Sequence, residues 1–162
     1  MDFIEYALKM EDKTKHYYLE LADKCIQNEG IKNILNMLAS EHEKHYDTLK
    51  LMEQDKCNSM EKTESFKEVD EIFNQMKQNK ETFHCDIDQL TLYEKALNLV
   101  EKKYNFYSET LKNIDCPENK KIIEQIRAEE KHQKYVLENI IEMVNRPSVW
   151  IENAEFYHFE EY

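Results

Sequence analysis

The fold is decided by Leu38-Ala39-Ser40-Glu41-His42-Glu43-Lys44-His45 together with a second stretch, Ala128-Glu129-Glu130-Lys131-His132. Both contain Glu-Lys-His, and both lie in segments whose apolar residues recur at the three- and four-residue steps of a helix. Glu129 precedes His132 by three residues, so the two side chains are neighbours on one helix face and can bind one metal ion together. In the first stretch His42 stands in that position before His45. The two stretches therefore predict helices that carry metal ligands, with a different set on each.

The helical spacing of apolar residues extends outward from these stretches. It predicts long helices over about 3–26, 31–53, 88–114 and 117–144 and a short amphipathic piece over about 66–76. Gly30 is the only glycine, and we expect it to end the first helix in a left-handed conformation. Pro117 suits the first turn of the fourth long helix. The chain is therefore expected to be all-α.

Connection lengths predict the topology. Very short turns join the first two and the last two long helices, so each pair should form an antiparallel hairpin. The segment 57–87 between the hairpins is long enough, at ~3.3 Å per extended residue, to recross a helix of ~35 Å. We predict a ferritin-like four-helix bundle over residues 1–147, made of two hairpins and one long crossover. The aromatic and acidic tail 148–162 is expected to pack on the bundle or on a partner subunit.

Composition excludes several classes of partner. The chain has 35% charged residues, one Gly and two Pro, which suits long helices. Its net charge of -12, from 34 acidic against 22 basic residues, argues against nucleic acid and anionic membranes as partners. No apolar run reaches membrane-spanning length. The N-terminal stretch lacks the pattern of a secretory signal, so we expect a cytoplasmic protein with reduced cysteines.

An internal repeat relates the two halves of the chain. A shift of 89 residues places Tyr18 on Tyr107, and a shift of 87 places Glu43-Lys44-His45 on Glu130-Lys131-His132. A duplicated hairpin explains this period and predicts that equivalent side chains meet at the bundle centre. Glu11 lies on the apolar stripe of the first helix, where a carboxylate is costly to bury unless it is paired or metal-bound. The two tyrosines are expected to be core aromatics, with a hydrogen bond to a ligand as the alternative.

The third long helix breaks the repeat. The shift of 89 places Val100 opposite Glu11, with Glu101 one residue further on. One residue is ~100° around a helix, so Glu101 reaches the centre only if the helix is locally over-long, as in a π-bulge. The charged run Glu101-Lys102-Lys103 is expected to be a solvated face.

The segments 7–18, 38–45 and 128–132 resemble the rubrerythrin branch of the ferritin-like superfamily, and the similarity covers nearly the whole chain. The resemblance implies a Glu from each of the first and third helices and a Glu-x-x-His pair from each of the other two. These would hold a pair of irons that reduces peroxide or reacts with oxygen. The positions that match this pattern are Glu11, His45, Glu129 and His132.

The charge of the candidate ligands bears on whether the site holds one metal ion or two. Two divalent irons bring +4, whereas the matching positions supply only the carboxylates Glu11 and Glu129, and buried excess charge is expensive. Glu11, His45, Glu129 and His132, with His42 as a further ligand, suit one ion of iron, manganese or zinc. Glu41, Glu43 or Glu101 could restore a second ion, but only with altered geometry. One metal and two metals both remain open.

Three functions follow from these patterns. The first is a metal-binding protein, with iron as the expected metal, that reduces peroxide or oxygen. It would take electrons from an external donor such as a rubredoxin-type protein, since this chain has no Cys-x-x-Cys site of its own. The second is a non-catalytic iron-handling or iron-sensing protein. The third is a bundle with a degenerate site that serves as an interaction module. A homodimer is compatible with all three.

Overall fold

In the computed structural model the described residues are 2–25, 28–56, 59–61, 65–82, 85 and 87–152. Their helices are α1 Asp2–Lys24, α2 Glu29–Glu53, α3 Ser65–Gln78, α4 Ile87–Leu111, α5 Pro117–Asn145 and α6 Pro147–Glu152. Across these ranges there is no strand, so the all-α prediction is confirmed. No helix in this part of the chain is long and apolar enough to cross a membrane.

The four long helices form a bundle of two hairpins. The most extensive contacts are those of α1 with α2 and of α4 with α5, and contacts of α1 with α4 and of α2 with α5 join the pairs. Helix α3 packs on α2, and α6 packs on α5 and α3. This is the ferritin-like helical bundle expected from the sequence. The path of the crossover includes residues outside the described ranges and stays a prediction.

Two apolar clusters fill the bundle. One contains Tyr18, Leu35, Tyr93 and Val136, and the other contains Ile4, Leu49, Tyr107 and Ile123. Along α1 and α5 the second cluster comes first, whereas along α2 and α4 the order is reversed. Each hairpin is therefore antiparallel, and every long helix crosses the layer between the two clusters.

The expectation for Gly30 was wrong. Asn28 is the N-cap of α2, its side-chain oxygen accepts a hydrogen bond from the backbone N–H of Ile31, and no glycine has a positive φ. Gly30 is the second residue of α2. A Cβ there would lie 3.1 Å from Cγ2 of Ile72 and 3.2 Å from Sδ of Met76. The glycine allows α3 to approach α2 closely.

The start of the predicted tail is attached to the bundle. Trp150 of α6 is fully buried, its indole N–H donates to Oδ1 of Asn139 at 2.8 Å, and its ring lies 5.9 Å from that of Phe73. Residues 153–162, which hold most of the tail's aromatic side chains, lie outside the described residues. The domain limits at 147 and 148 stay a prediction.

Candidate metal centre

A layer of buried polar side chains crosses the bundle between the two apolar clusters. Helix α1 supplies one acid, α2 two histidines, α4 one lysine, and α5 two acids and an amide. The seven side chains, all 0% exposed, are those of Glu11, His42, His45, Lys103, Glu129, Glu130 and Gln133. Charged groups are rarely buried so completely unless they are paired or bind a metal.

The histidines of α2 lie between the acids of α1 and α5. Nδ1 of His42 is 2.8 Å from Oε2 of Glu11, and its Nε2 is 2.6 Å from Oε1 of Gln133. Nδ1 of His45 lies 3.4 Å from the same Glu11 oxygen, and its Nε2 lies 2.8 Å from Oε1 of Glu129. Burial alone would lower the pKa of His45, but the Glu11 and Glu129 carboxylates raise it to about 10. In this arrangement His45 is an imidazolium held between two carboxylates.

Lys103 of α4 reaches the middle of the layer. Its Nζ lies 2.8 and 3.0 Å from the two carboxylate oxygens of Glu11, 2.7 Å from Oε1 of Glu130 and 2.8 Å from Nδ1 of His42. Burial by itself would raise the pKa of the Glu11 carboxyl, but the cations around it, Lys103 first, hold that pKa well below its usual range. The ammonium therefore neutralises acids that the fold has removed from water.

Helix α5 presents Glu130 and Gln133 to the centre. Oε1 of Glu130 is 3.8 Å from Nδ1 of His42 and equally far from Nδ1 of His45. The contact with Lys103 is a close ion pair whose angles do not make a hydrogen bond, and among the described residues neither Glu130 oxygen has a hydrogen-bond partner. Gln133 accepts a hydrogen bond from the hydroxyl of Tyr18 at 3.0 Å. Glu130 thus offers buried lone pairs to a ligand.

Two sets of side chains could hold a metal. Glu11, His42, His45 and Glu130 each offer one ligand atom, and these four atoms lie within 4.8 Å of one another. Glu41, His45 and Glu129 form a second set under the same limit. His45 belongs to both, with one ring nitrogen directed to each. The fully buried first set lies at the centre of the bundle.

The predicted ligands are distributed unevenly around this centre. Glu11, His42 and His45 meet there, and Glu129 contacts His45 from the other side of the ring. The His132 ring packs 4.8 Å from the ring of Phe66 and belongs to neither ligand set. Glu101 is 44% exposed and lies 3.9 Å from Nζ of Lys134. Val100 is buried in the apolar cluster that contains Tyr18.

Sequence reasoning missed Lys103, Glu130 and Gln133, and the prediction of a solvated face at Lys103 was wrong. A signal was present in the spacing of the buried residues of α4, which recur at alternating steps of three and four: Tyr93, Ala96, Val100, Lys103 and Tyr107. The lysine lies on that stripe, while its neighbour Lys102 is exposed. The prediction followed the charge of the run that contains Lys103, whereas the position of a residue around the helix decides whether it is buried.

Two tyrosines donate hydrogen bonds to residues of the centre. The hydroxyl of Tyr107 donates to Oε1 of Glu11 at 2.8 Å, and that of Tyr18 donates to Oε1 of Gln133 at 3.0 Å. Burial and nearby carboxylates raise the pKa of both tyrosines, so both keep their protons. Each is a buried core aromatic that also hydrogen-bonds a residue of the centre.

A cavity lies beside the centre. It has a volume of about 360 Å³ and lies between α4 and α5, with Val100, Glu101, Tyr104, Glu130 and Lys134 among its lining residues. Glu130 is common to the cavity wall and the ligand set. Because Glu130 is 0% exposed, a small solute in this cavity lies beside the ligand set and reaches the carboxylate only if a side chain moves.

The comparisons with known proteins agree with this geometry. The profile of the rubrerythrin family matches residues 2–141. No curated protein and no solved structure matches the chain. A match over most of the chain, together with a helical bundle that has a buried Glu and His cluster compatible with a metal site, leaves one assignment. The chain belongs to the rubrerythrin family.

Proposed function

We propose that the protein binds one divalent transition metal, iron in the first instance, through Glu11, His42, His45 and Glu130. The observation that carries this proposal is the convergence of these four fully buried side chains within 4.8 Å. Two imidazole nitrogens and two carboxylate oxygens suit iron, manganese or zinc. The two carboxylates match the charge of one divalent ion, and His45 would release its proton to solvent on binding, because only a neutral imidazole can be a metal ligand.

The described residues do not fit a pair of irons. On α4 the side chain that reaches the centre is the cation Lys103, where the family pattern asks for a carboxylate. On α5 the residue three after Glu130 is the neutral amide Gln133. Two divalent ions together with the Lys103 ammonium would bring +5 against the four carboxylates of the two ligand sets, those of Glu11, Glu130, Glu41 and Glu129. Burying such an excess of charge is strongly unfavourable.

The surrounding residues orient the ligands. Tyr107 donates to Glu11, His42 is held by Gln133, and His45 is held by Glu129. Such outer contacts fix the rotamer of a ligand and tune the metal that it binds. A bound iron would supply a one-electron redox couple. Reduction of peroxide to water needs two electrons, so the protein supports iron handling or sensing better than it supports a two-electron peroxidase.

Rubrerythrin-like reduction of peroxide or oxygen is the second candidate. The cavity between α4 and α5 favours it, because a small oxidant could be held there beside Glu130, next to the ligand set. This function requires electrons from outside, for which we propose a rubredoxin-type donor. We also propose a cytoplasmic location, and a homodimer is compatible with either function.

Anaerobic titration of the metal-free protein with ferrous iron tests the proposal. We expect one Fe²⁺ per chain by calorimetry and by metal analysis after gel filtration. Glu130→Gln is expected to weaken binding at least tenfold, about 1.4 kcal/mol. Glu124→Gln, at an exposed position of α5, is the matched control. Less than one metal per chain, or equal binding by the two variants, would contradict the proposal.

Peroxide consumption in the presence of a reductant separates the two candidates. An iron-handling protein should consume peroxide no faster than an equal concentration of chelated iron. If the loaded protein is clearly faster, and if this rate falls when Tyr104→Trp fills the cavity, peroxide reduction becomes the better assignment. The tyrosine lines the cavity without being a ligand.

A further inference from the structure

The surroundings of Lys103 resemble a coordination shell. Four ligand-type atoms lie within 3.0 Å of its Nζ: both oxygens of Glu11, Oε1 of Glu130 and Nδ1 of His42. An ammonium group has only three protons to donate. Two of these contacts, to Glu11 Oε2 and His42 Nδ1, are hydrogen bonds, whereas the contacts to Glu11 Oε1 and Glu130 Oε1 are ion pairs. More donor atoms converge on this point than a lysine can satisfy.

Nδ1 of His42 carries a similar conflict. It lies 2.8 Å from the Lys103 ammonium, from which it must accept, and 2.8 Å from a Glu11 oxygen, to which it must donate. One ring nitrogen cannot do both at the same time. A metal ion at the position of Nζ would remove the conflict, because nitrogen and oxygen would then both be electron-pair donors.

We infer that the Lys103 ammonium occupies the metal position as an internal cation, so that metal binding is an exchange in which the ion displaces the lysine side chain. This inference rests on the proposed metal binding at Glu11, His42, His45 and Glu130. Three of these four ligands touch the ammonium directly. A divalent ion and an ammonium cannot share so small a buried space, because like charges at this distance repel strongly where water does not screen them.

The cavity between α4 and α5 gives the displaced side chain somewhere to go. Its wall includes Val100, Glu101 and Tyr104, which lie within one helical turn of Lys103 on α4, and it also includes Glu130. Glu101 is partly exposed at this wall and carries a negative charge. A swing from Glu130 towards Glu101 would take the ammonium from a buried carboxylate to a solvated one.

The test compares Lys103→Met with Lys102→Met, its exposed neighbour on the same helix. Methionine keeps the length and the apolar stem of lysine and removes the charge. If the ammonium leaves the site only about 1% of the time, apparent Co²⁺ or Fe²⁺ affinity should rise about 100-fold in Lys103→Met. Metal-free Lys103→Met should melt below the metal-free wild type and regain most of the loss on adding metal. Lys102→Met should match the wild type in both measurements.

The outcomes separate this inference from the proposed function. If the wild type binds one metal and Lys103→Met binds it no more tightly, the exchange is wrong and the metal site stands. If neither protein binds metal, the proposed function fails and the exchange fails with it.

A measurement on the wild type covers the case in which Lys103→Met does not fold. Acetylation by an N-hydroxysuccinimide ester, followed by peptide mass spectrometry, reports the exposure of each lysine. Lys103 should be protected in the metal-free protein and acetylated at least tenfold faster when Co²⁺ is bound, while Lys102 should not change. If Co²⁺ binds and Lys103 is as well protected in the Co²⁺-bound protein as in the metal-free protein, the exchange is wrong.

Discussion

Tyr18 and Tyr107 provide a matched test of whether Glu11, at the centre of the bundle, is an ionised carboxylate. Both side chains are fully buried, and both donate one hydrogen bond from the hydroxyl. The acceptor of Tyr107 is the carboxylate of Glu11, whereas the acceptor of Tyr18 is the neutral amide oxygen of Gln133. Replacement by phenylalanine removes one hydroxyl at each position and leaves the ring in place.

The expected costs differ because the acceptors differ. A hydrogen bond to a charged group contributes about 1.5–3 kcal/mol, and one between neutral groups about 0.5–1.5 kcal/mol. Burial would raise the Glu11 pKa but the surrounding cations hold it low, so Glu11 is a carboxylate at pH 7. We expect Tyr107→Phe to lower the free energy of unfolding by about 2 kcal/mol and Tyr18→Phe by about 1 kcal/mol. For a chain of this size 1 kcal/mol corresponds to roughly 2–4 °C in Tm.

Urea unfolding of the metal-free proteins at pH 7 measures both effects. The m values should equal that of the wild type, since neither change alters the surface exposed on unfolding. At pH values low enough to protonate Glu11, the two variants should differ less in free energy of unfolding, because a protonated Glu11 is a neutral acceptor. Equal costs at pH 7, or a larger cost for Tyr18→Phe, would refute the assignment of Glu11 as a buried carboxylate.

Four further predictions concern stability. In the metal-free protein Tm should fall as pH rises from about 6.5 towards 10, because folded His45 keeps a proton that the unfolded chain has lost. In the His45→Gln variant the Tm measured by calorimetry should change less with pH over this range. Asn28→Ala should cost about 1 kcal/mol in urea unfolding, since it removes the cap on the N–H of Ile31. Gly30→Val should cost about 1–3 kcal/mol by the same assay, because its side chain would meet Ile72 and Met76. Trp150→Phe should cost about 1–3 kcal/mol by leaving the Asn139 oxygen without its donor, and an unchanged midpoint would show that α6 contributes little.

The fold could be predicted because it depends on local patterns. The apolar spacing placed the four long helices, and observed bounds such as Glu29–Glu53 and Pro117–Asn145 differ from the predicted ones by only a few residues. Gly30 was misinterpreted because α2 already begins at Glu29, after its N-cap Asn28, so the glycine lies inside the second helix and not at the end of the first. The reason for the glycine is a contact with α3, which is distant in sequence and leaves no local mark.

The register on α5 was harder to predict because that helix is buried on more than one face. Glu129 and Glu130 are both fully buried, and each has a polar residue three positions later. Periodicity of 3.6 cannot choose between two adjacent acids when both lie inside the bundle. Similarity to the Glu-x-x-His pattern favoured Glu129 and His132, whereas the geometry brings Glu130 and Gln133 to the centre.

The burial of Lys103 is explained by charge balance, which becomes visible only when the helices are assembled in the bundle. A lysine on a buried stripe is unfavourable alone, and Glu11 and Glu130 are unfavourable alone, yet the three together form a neutralised set when α1, α4 and α5 meet. In this set the buried acids are neutralised by a side chain of the chain itself. We therefore expect the stability of a chain without the lysine to depend on metal more strongly than the stability of the wild type does. The Lys103→Met variant, melted with and without Co²⁺, would show this dependence as a metal-induced rise in Tm larger than that of the wild type.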